Sequence, residues 1–241
     1  MKNIPRIYIN ENLETGKIFP LTKDQAHYLT KVMRIKAQDI GHKAENPEDV
    51  FMIFNNGNEF FAKLVVQNNM PFALCLMPSD RPDPAGQICL AFAPIKQARI
   101  EEMLAMATQM GVRRLQPVIT DRINEHHPKW ERIKKIIIES SEQSGRNSVP
   151  ELATPMKFDE FLKQNKNIVF ADERLVSFRG APGANPEPGK DISKTILIGP
   201  EGGFSDAEFT ALDAAGAVGI SLGKTILRAE TAAVAALARL M

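Results

Sequence analysis

The chain has only two cysteines, one tryptophan and two tyrosines in 241 residues. Cys75 and Cys89 form no C-x-x-C pair and have no nearby histidine to suggest zinc. A disulfide scaffold and a zinc module are therefore excluded, no metal site is expected, and both cysteines read as buried thiols. No apolar run approaches the ~18 residues of a membrane span, and Met1 to Arg6 lacks the apolar stretch of a secretory signal. A soluble, cytoplasmic protein without a membrane partner is expected. An excess of one charge is also missing: 30 Lys and Arg stand against 29 Asp and Glu, a net +1. That excludes nucleic-acid binding by bulk basicity, and no DNA partner is expected. Neither G-x-G-x-x-G nor a Walker loop occurs; Gly219 to Thr225 imitates the latter but is one residue short.

What is present is an apolar content of 44%, enough for a sizeable core, in two differently patterned regions. In the first, Arg6–Ile9, Lys17–Phe19, Val50–Phe54 and Phe60–Val66 are strand-like and separated by Gly, Asn and Pro turns. One helix is predicted from Thr22, with Gln25 completing a capping box, to about Arg34. This predicts a small barrel-like module over 1–78. A break rich in proline (Pro78, Pro82, Pro84, Gly86) follows, and a second domain is expected over 86–241.

In the second region strands and helices alternate. Strands are predicted at Gln87–Ala93, Leu115–Ile119, Ile168–Ala171, Thr195–Ile198 and Val218–Leu222. Helices are predicted at Arg99–Met110, at Trp130–Ser144, from Ser205 and from about Arg228. Such alternation implies an α/β fold with a mostly parallel sheet. Ligands of such sheets sit beyond the carboxyl ends of the strands, which points to the loops after Ala171, Ile198 and Leu222. Residues 179–193 read as a surface insertion, and His126-His127 as a loop.

Three segments stand out. Ile198-Gly199-Pro200-Glu201-Gly202-Gly203-Phe204 precedes a capping box of Ser205 and Glu208. Its glycines permit close backbone approach to a ligand, or a tight strand-to-helix turn that binds nothing. Leu222 to Ala232 brings Arg228 and Glu230 to the start of an alanine-rich helix, either as helix capping with a local ion pair or as a second pocket wall. Glu139, Glu142, Gln143 and Arg146 recur at helical spacing and read as a solvated face. Residues 94–150 carry 10 basic and 7 acidic groups, a mild excess.

Together, Gly199 to Ser205, Leu222-Gly223 with Ile226 to Ala232, Glu142 to Arg146, Pro5 to Tyr8 and His27-x-Leu29-x-x-Val32-Met33-Arg34 resemble the RsmE family. These are small-subunit rRNA uridine N3-methyltransferases of the SPOUT superfamily. Lys96 and Gly111-Val112 also match, whereas Met106 and Gln109 stand where Lys and Glu are more frequent. The resemblance implies an N-terminal PUA-like β-barrel for RNA and a C-terminal SPOUT-type α/β domain with a trefoil knot that holds S-adenosylmethionine. Knots are too rare to be expected from pattern alone. A homodimer acting on 16S rRNA in the small ribosomal subunit is implied too. The cofactor residues implied are Asp172, Glu173, Ile198, Gly199, Pro200, Glu201, Gly202, Gly203, Leu222, Gly223, Ile226, Leu227 and Arg228. Arg228 is the expected catalytic group, with Glu201 and Glu230 ordering the loops, and Arg6, Arg34, Lys96, Arg122 and Arg146 are expected to contact RNA. The alternatives are a fold relative that binds RNA or assists ribosome assembly without methyl transfer, and a methyltransferase for another rRNA or tRNA position.

Overall fold

Asparagine turns set the first unit of the structure, a computed structural model that describes residues 4–39, 50–123, 128–175 and 195–241. Two features expected from the sequence lie outside the described residues: the His126-His127 pair and the 179–193 insertion. The chain divides into Met1–Pro84 with Ser141–Val149, and Ala85–Ser140 with Pro150–Met241.

In the first unit, β1 (Arg6–Tyr8), β2 (Ile18–Pro20), α1 (Lys23–His27), β3 (Gln38–Asp39), β4 (Val50–Asn55), β5 (Asn58–Gln67) and β6 (Met70–Pro78) follow one another. Asn56 and Gly57 both have positive φ, as do Asn68 and Asn69, so each pair closes a two-residue hairpin whose twist suits the strands it joins. The sheet runs β1-β4-β5-β6-β2, with β3 paired to β5. Ile7, Phe19, Leu29, Phe51, Ile53 and Leu64 form its core. The Thr22–Gln25 capping box is present. The expected helix widens after His27 into a π-helical turn at Tyr28–Val32 and stops at Arg34, whose φ of 59° is left-handed. Residues 141–149 interrupt the second domain expected over 86–241. They join the first unit because Asn147 accepts from Arg6 and Arg81, donates to the Arg81 carbonyl and to Asp83, and accepts from Gly57.

The second unit contains β7 (Cys89–Phe92), α2 (Gln97–Gln109), β8 (Arg114–Ile119), most of α3 (Trp130–Ser144), β9 (Glu151–Leu152), β10 (Met156–Lys157), α4 (Phe158–Gln164), β11 (Ile168–Ala171), β12 (Thr195–Ile198), α5 (Asp206–Ala214), β13 (Val218–Ile220) and α6 (Ala229–Leu240). All its strand pairs are parallel, in the order β10-β8-β7-β12-β11-β13 with β9 on β8. The α/β class expected from the sequence is observed. β12 is buried throughout and lies between β7 and β11, which explains its continuous apolar run. Phe158, Phe170, Phe204 and Phe209 pack with ring centroids 5.7–6.3 Å apart beneath the sheet's carboxyl edge. Among the described residues no helix is long and apolar enough to cross a membrane.

Candidate active-site cleft and a buried polar cluster

Parallel strands end together, so the loops after β11, β12 and β13 converge, and they line one cleft of about 240 Å³. Asp172 and Glu173 come from the first loop, Ile198 to Glu201 and Gly203 from the second, and Leu222 with Ile226, Leu227 and Arg228 from the third. These are the three loops suspected from the sequence. Arg228 is exposed and caps α6 with extended backbone, and its guanidinium makes no hydrogen bond or ion pair among the described residues. It lines the cleft as an uncommitted cation.

The glycines of the second loop have separate tasks. A Cβ on Gly199 would stand 3.0 Å from the Phe204 ring, so this glycine makes room for the aromatic cluster. Gly203 has φ +67°, and a Cβ there would collide with the Glu173 carboxylate. Gly202 faces Arg122 and is not among the residues that line the cleft; Gly223, with nothing within 4 Å of a Cβ, is likewise absent from the lining.

Two arginines pin this loop. Arg99 in the first turn of α2 donates to Glu201 at 2.9 Å, and Arg122 donates to the Gly202 carbonyl at 3.1 Å. The Ser205–Glu208 capping box is present. Glu208 also accepts from the Asp121 backbone at 2.9 Å, and Ser205 meets Asp121 at 2.6 Å, so the loop after β8 is fastened to the start of α5. Asp172, nearly buried, is held by a two-pronged pair with Arg174, whose guanidinium stacks 3.6 Å over Phe209. Hydrogen bonding to Asp172 raises the Arg174 pKa further. Arg99 lines the cleft, whereas the sequence suggests for it, with the other basic residues of 94–150, only a phosphate-facing surface; its place in the first turn of the helix that follows a parallel strand is the signal for the cleft.

Glu230, expected to order the loops, sits in the first turn of α6. It is buried and does not line the cleft, because Ala229 and Ala232 present that side of α6. One of its carboxylate oxygens has no hydrogen-bond partner among the described residues.

The expected RNA contacts divide. Arg34, Lys96 and Arg122 are exposed. Arg146 is 1% exposed and donates to the Ser148 carbonyl, and Arg6 pairs with Glu59 while also donating to the Arg146 carbonyl at 2.6 Å. Arg146 is buried and Arg6 partly so, and both are engaged by protein partners rather than presented to a phosphate; Arg146 belongs to a polar cluster, not to a solvated face. Glu59, 2% exposed at its side chain, accepts from both Arg6 and Arg81, and Arg81 reaches on to the Gly145 carbonyl at 2.6 Å. Burial, reinforced by the charge of Arg81, lowers the Arg6 pKa to about 10, against opposing attraction from Asp83 and Glu142.

A parallel α/β unit with a ligand cleft at its strand ends is the class that fold and site define, and the RNA methyltransferase domain family matches residues 81–241. The small-subunit rRNA methyltransferase E of Rickettsia conorii is 34% identical over 97% of this chain and 93% of its own. The same enzyme from Neisseria gonorrhoeae, solved with S-adenosylmethionine, superposes with a TM-score of 0.77 at 28% identity, over 98% of this chain and 96% of that one. A Legionella pneumophila methyltransferase structure with the same cofactor gives 0.78 at 26% identity, with the same coverage. The chain belongs to the ribosomal RNA small subunit methyltransferase E family.

Proposed function

We propose that this chain transfers a methyl group from S-adenosylmethionine to N3 of one uridine of 16S rRNA in the small ribosomal subunit. The observation that carries the reading is the convergence of three strand-end loops on one cleft with the uncommitted Arg228 on its wall. On the same reading the first unit is a PUA-like barrel that binds RNA, the second a SPOUT domain whose chain is knotted. The protein acts as a cytoplasmic homodimer.

The lining suits the cofactor. Ile198, Leu222 and Leu227 offer apolar surface for a purine, the loop backbones offer edges for hydrogen bonding, and Glu173 offers a negative charge for the ammonium of an amino acid moiety. When bound, S-adenosylmethionine supplies an electrophilic methyl group on a sulfonium. The N3 atom lies on the Watson–Crick edge, so the target base must be unpaired to enter. Loss of its proton spreads negative charge onto the exocyclic oxygens O2 and O4 of the uracil, and Arg228 is the group suited to stabilise that charge. Glu201, held by Arg99, fixes the loop against which the uridine is positioned. Exposed Arg34, Lys96 and Arg122 serve as phosphate contacts. The test is incubation with labelled S-adenosylmethionine and small subunits lacking the mark, followed by nucleoside mass spectrometry. New N3-methyluridine is expected; label in another nucleoside overturns the position, and no label with cofactor bound overturns the substrate.

A further inference from the structure

The first unit holds a cleft of its own, about 690 Å³, within the ~300–1,000 Å³ typical of small-ligand sites. Tyr28, Phe61, Met33 and Met52 give it aromatic and thioether walls. Its polar edge carries Arg6, Arg81, Glu59 and Glu142, with Ser79, Gln143 and Ser144 as neutral donors and acceptors.

Charge decides what such a cleft can hold. Arg6 and Arg81 share Glu59, and Asp83 and Glu142 act attractively on Arg6. Within the lining itself two cations, Arg6 and Arg81, stand against two carboxylates, Glu59 and Glu142. Two guanidinium groups would usually suggest a phosphate, but here their charge is matched within the unit. A flat, neutral ligand with a hydrogen-bonding edge fits better than an anion. A nucleobase is such a ligand, and proteins recognise splayed RNA bases by stacking on aromatic side chains while polar groups read the edge.

The cleft is also held open. Gly145, at φ +78°, leaves room for Arg81: a Cβ there would stand 3.2 Å from its Nη1. Arg81 in turn is fixed by Glu59, Gly145 and Asn147.

We propose that this cleft is a second RNA-reading site, which takes one splayed nucleobase of the rRNA other than the uridine that is methylated. The proposal rests on the reading of the chain as an rRNA methyltransferase and adds a specificity element to it.

The test uses the full chain and unmethylated small subunits, with affinity measured across a salt series for wild type, Phe61→Leu and Phe61→Trp. Leucine keeps apolar volume but has no π face, whereas tryptophan keeps one. Phe61→Leu is expected to weaken binding about five- to tenfold and Phe61→Trp to bind within about twofold of wild type, as stacking requires. The slope of log affinity against log salt should stay the same, because no phosphate contact is lost. Cofactor affinity, a property of the second unit, should not change. Equal affinities for Phe61→Leu and wild type overturn the proposal, and so does a slope that falls by about one, which marks a phosphate site. If wild type binds cofactor but neither binds nor methylates the subunits, the rRNA reading itself fails, an outcome distinct from the other two.

Discussion

Arg99 and Glu201, 102 residues apart in the chain, meet at 2.9 Å, and that pair ties the first turn of α2 to the loop after β12. Both side chains keep some exposure, so the pair adds at most ~1 kcal/mol to stability. Its consequence should be positional. Arg99→Ala is expected to leave the thermal midpoint nearly unchanged while weakening S-adenosylmethionine binding several-fold, as read by calorimetry. An unchanged dissociation constant would show that the loop holds itself.

Gly203→Ala should cost roughly 1–2 kcal/mol, measured by urea unfolding, because alanine must adopt a left-handed φ. The added Cβ also displaces the Glu173 carboxylate, so cofactor binding should fall as well. Adding Glu173→Ala relieves the collision and leaves the backbone cost. A double variant as stable as wild type would contradict this division.

Arg228→Ala should slow single-turnover methyl transfer by about 10²- to 10³-fold, the usual loss when an oxyanion donor is removed. Cofactor affinity should change little. If affinity falls and the rate at saturating cofactor does not, Arg228 binds the cofactor carboxylate and not the uracil.

Glu59→Gln removes the carboxylate shared by Arg6 and Arg81 and leaves their charges facing each other. A loss of about 3 kcal/mol or more is expected. Hydrogen exchange should report it at β1, β5 and residues 141–149, with the second unit's sheet unaffected. Uniform loosening of both units would count against a cluster confined to the first.

Burial pushes the Cys89 thiol up to about 11, outweighing the lowering effects of Arg114 and Thr195. Iodoacetamide at pH 8 should therefore alkylate Cys89 about 100-fold more slowly than an ordinary exposed thiol. The folded thiol keeps its proton while the unfolded one, at its ordinary 9.0, ionises. The folded form thus holds the extra proton between pH 9 and 11, and the stability this group contributes is present below 9 and lost as pH rises through that window. Fast alkylation at pH 8 in the native protein would show that Cys89 is accessible.

The second unit was the more legible part. Its parallel strands are buried on both faces, so Ile168–Ala171 and Thr195–Ile198 appear as unbroken apolar runs, and Ser205 with Glu208 marks the start of α5 by local chemistry alone. Strand β6 was missed because Pro71 and its mixed side chains hide the alternation. Helix α4 was missed because seven residues are too short for periodicity to emerge. The cleft was legible as three loops, since strand ends in parallel sheets are predictable. What each residue does there was not. Gly199 yields to Phe204 and Gly202 to Arg122, relations between side chains that meet only after folding. Arg146 misled for the same reason: its helical spacing with Glu142 suggested solvent, and its actual surroundings come from residues more than sixty positions away.

Because the first unit is built from Met1–Pro84 and Ser141–Val149, it is finished late during synthesis. Its last strand, β6, ends at Pro78, yet the carbonyls of Gly145 and Arg146 and the amide of Asn147, which hold Arg6 and Arg81, are made roughly 65 residues later. At ~5–20 residues per second that is a wait of several seconds with two arginines and a carboxylate incompletely partnered. A fragment stopped at Pro84 would stay in that condition permanently, so the N-terminal sheet is better studied with residues 141–149 supplied than as a simple truncation.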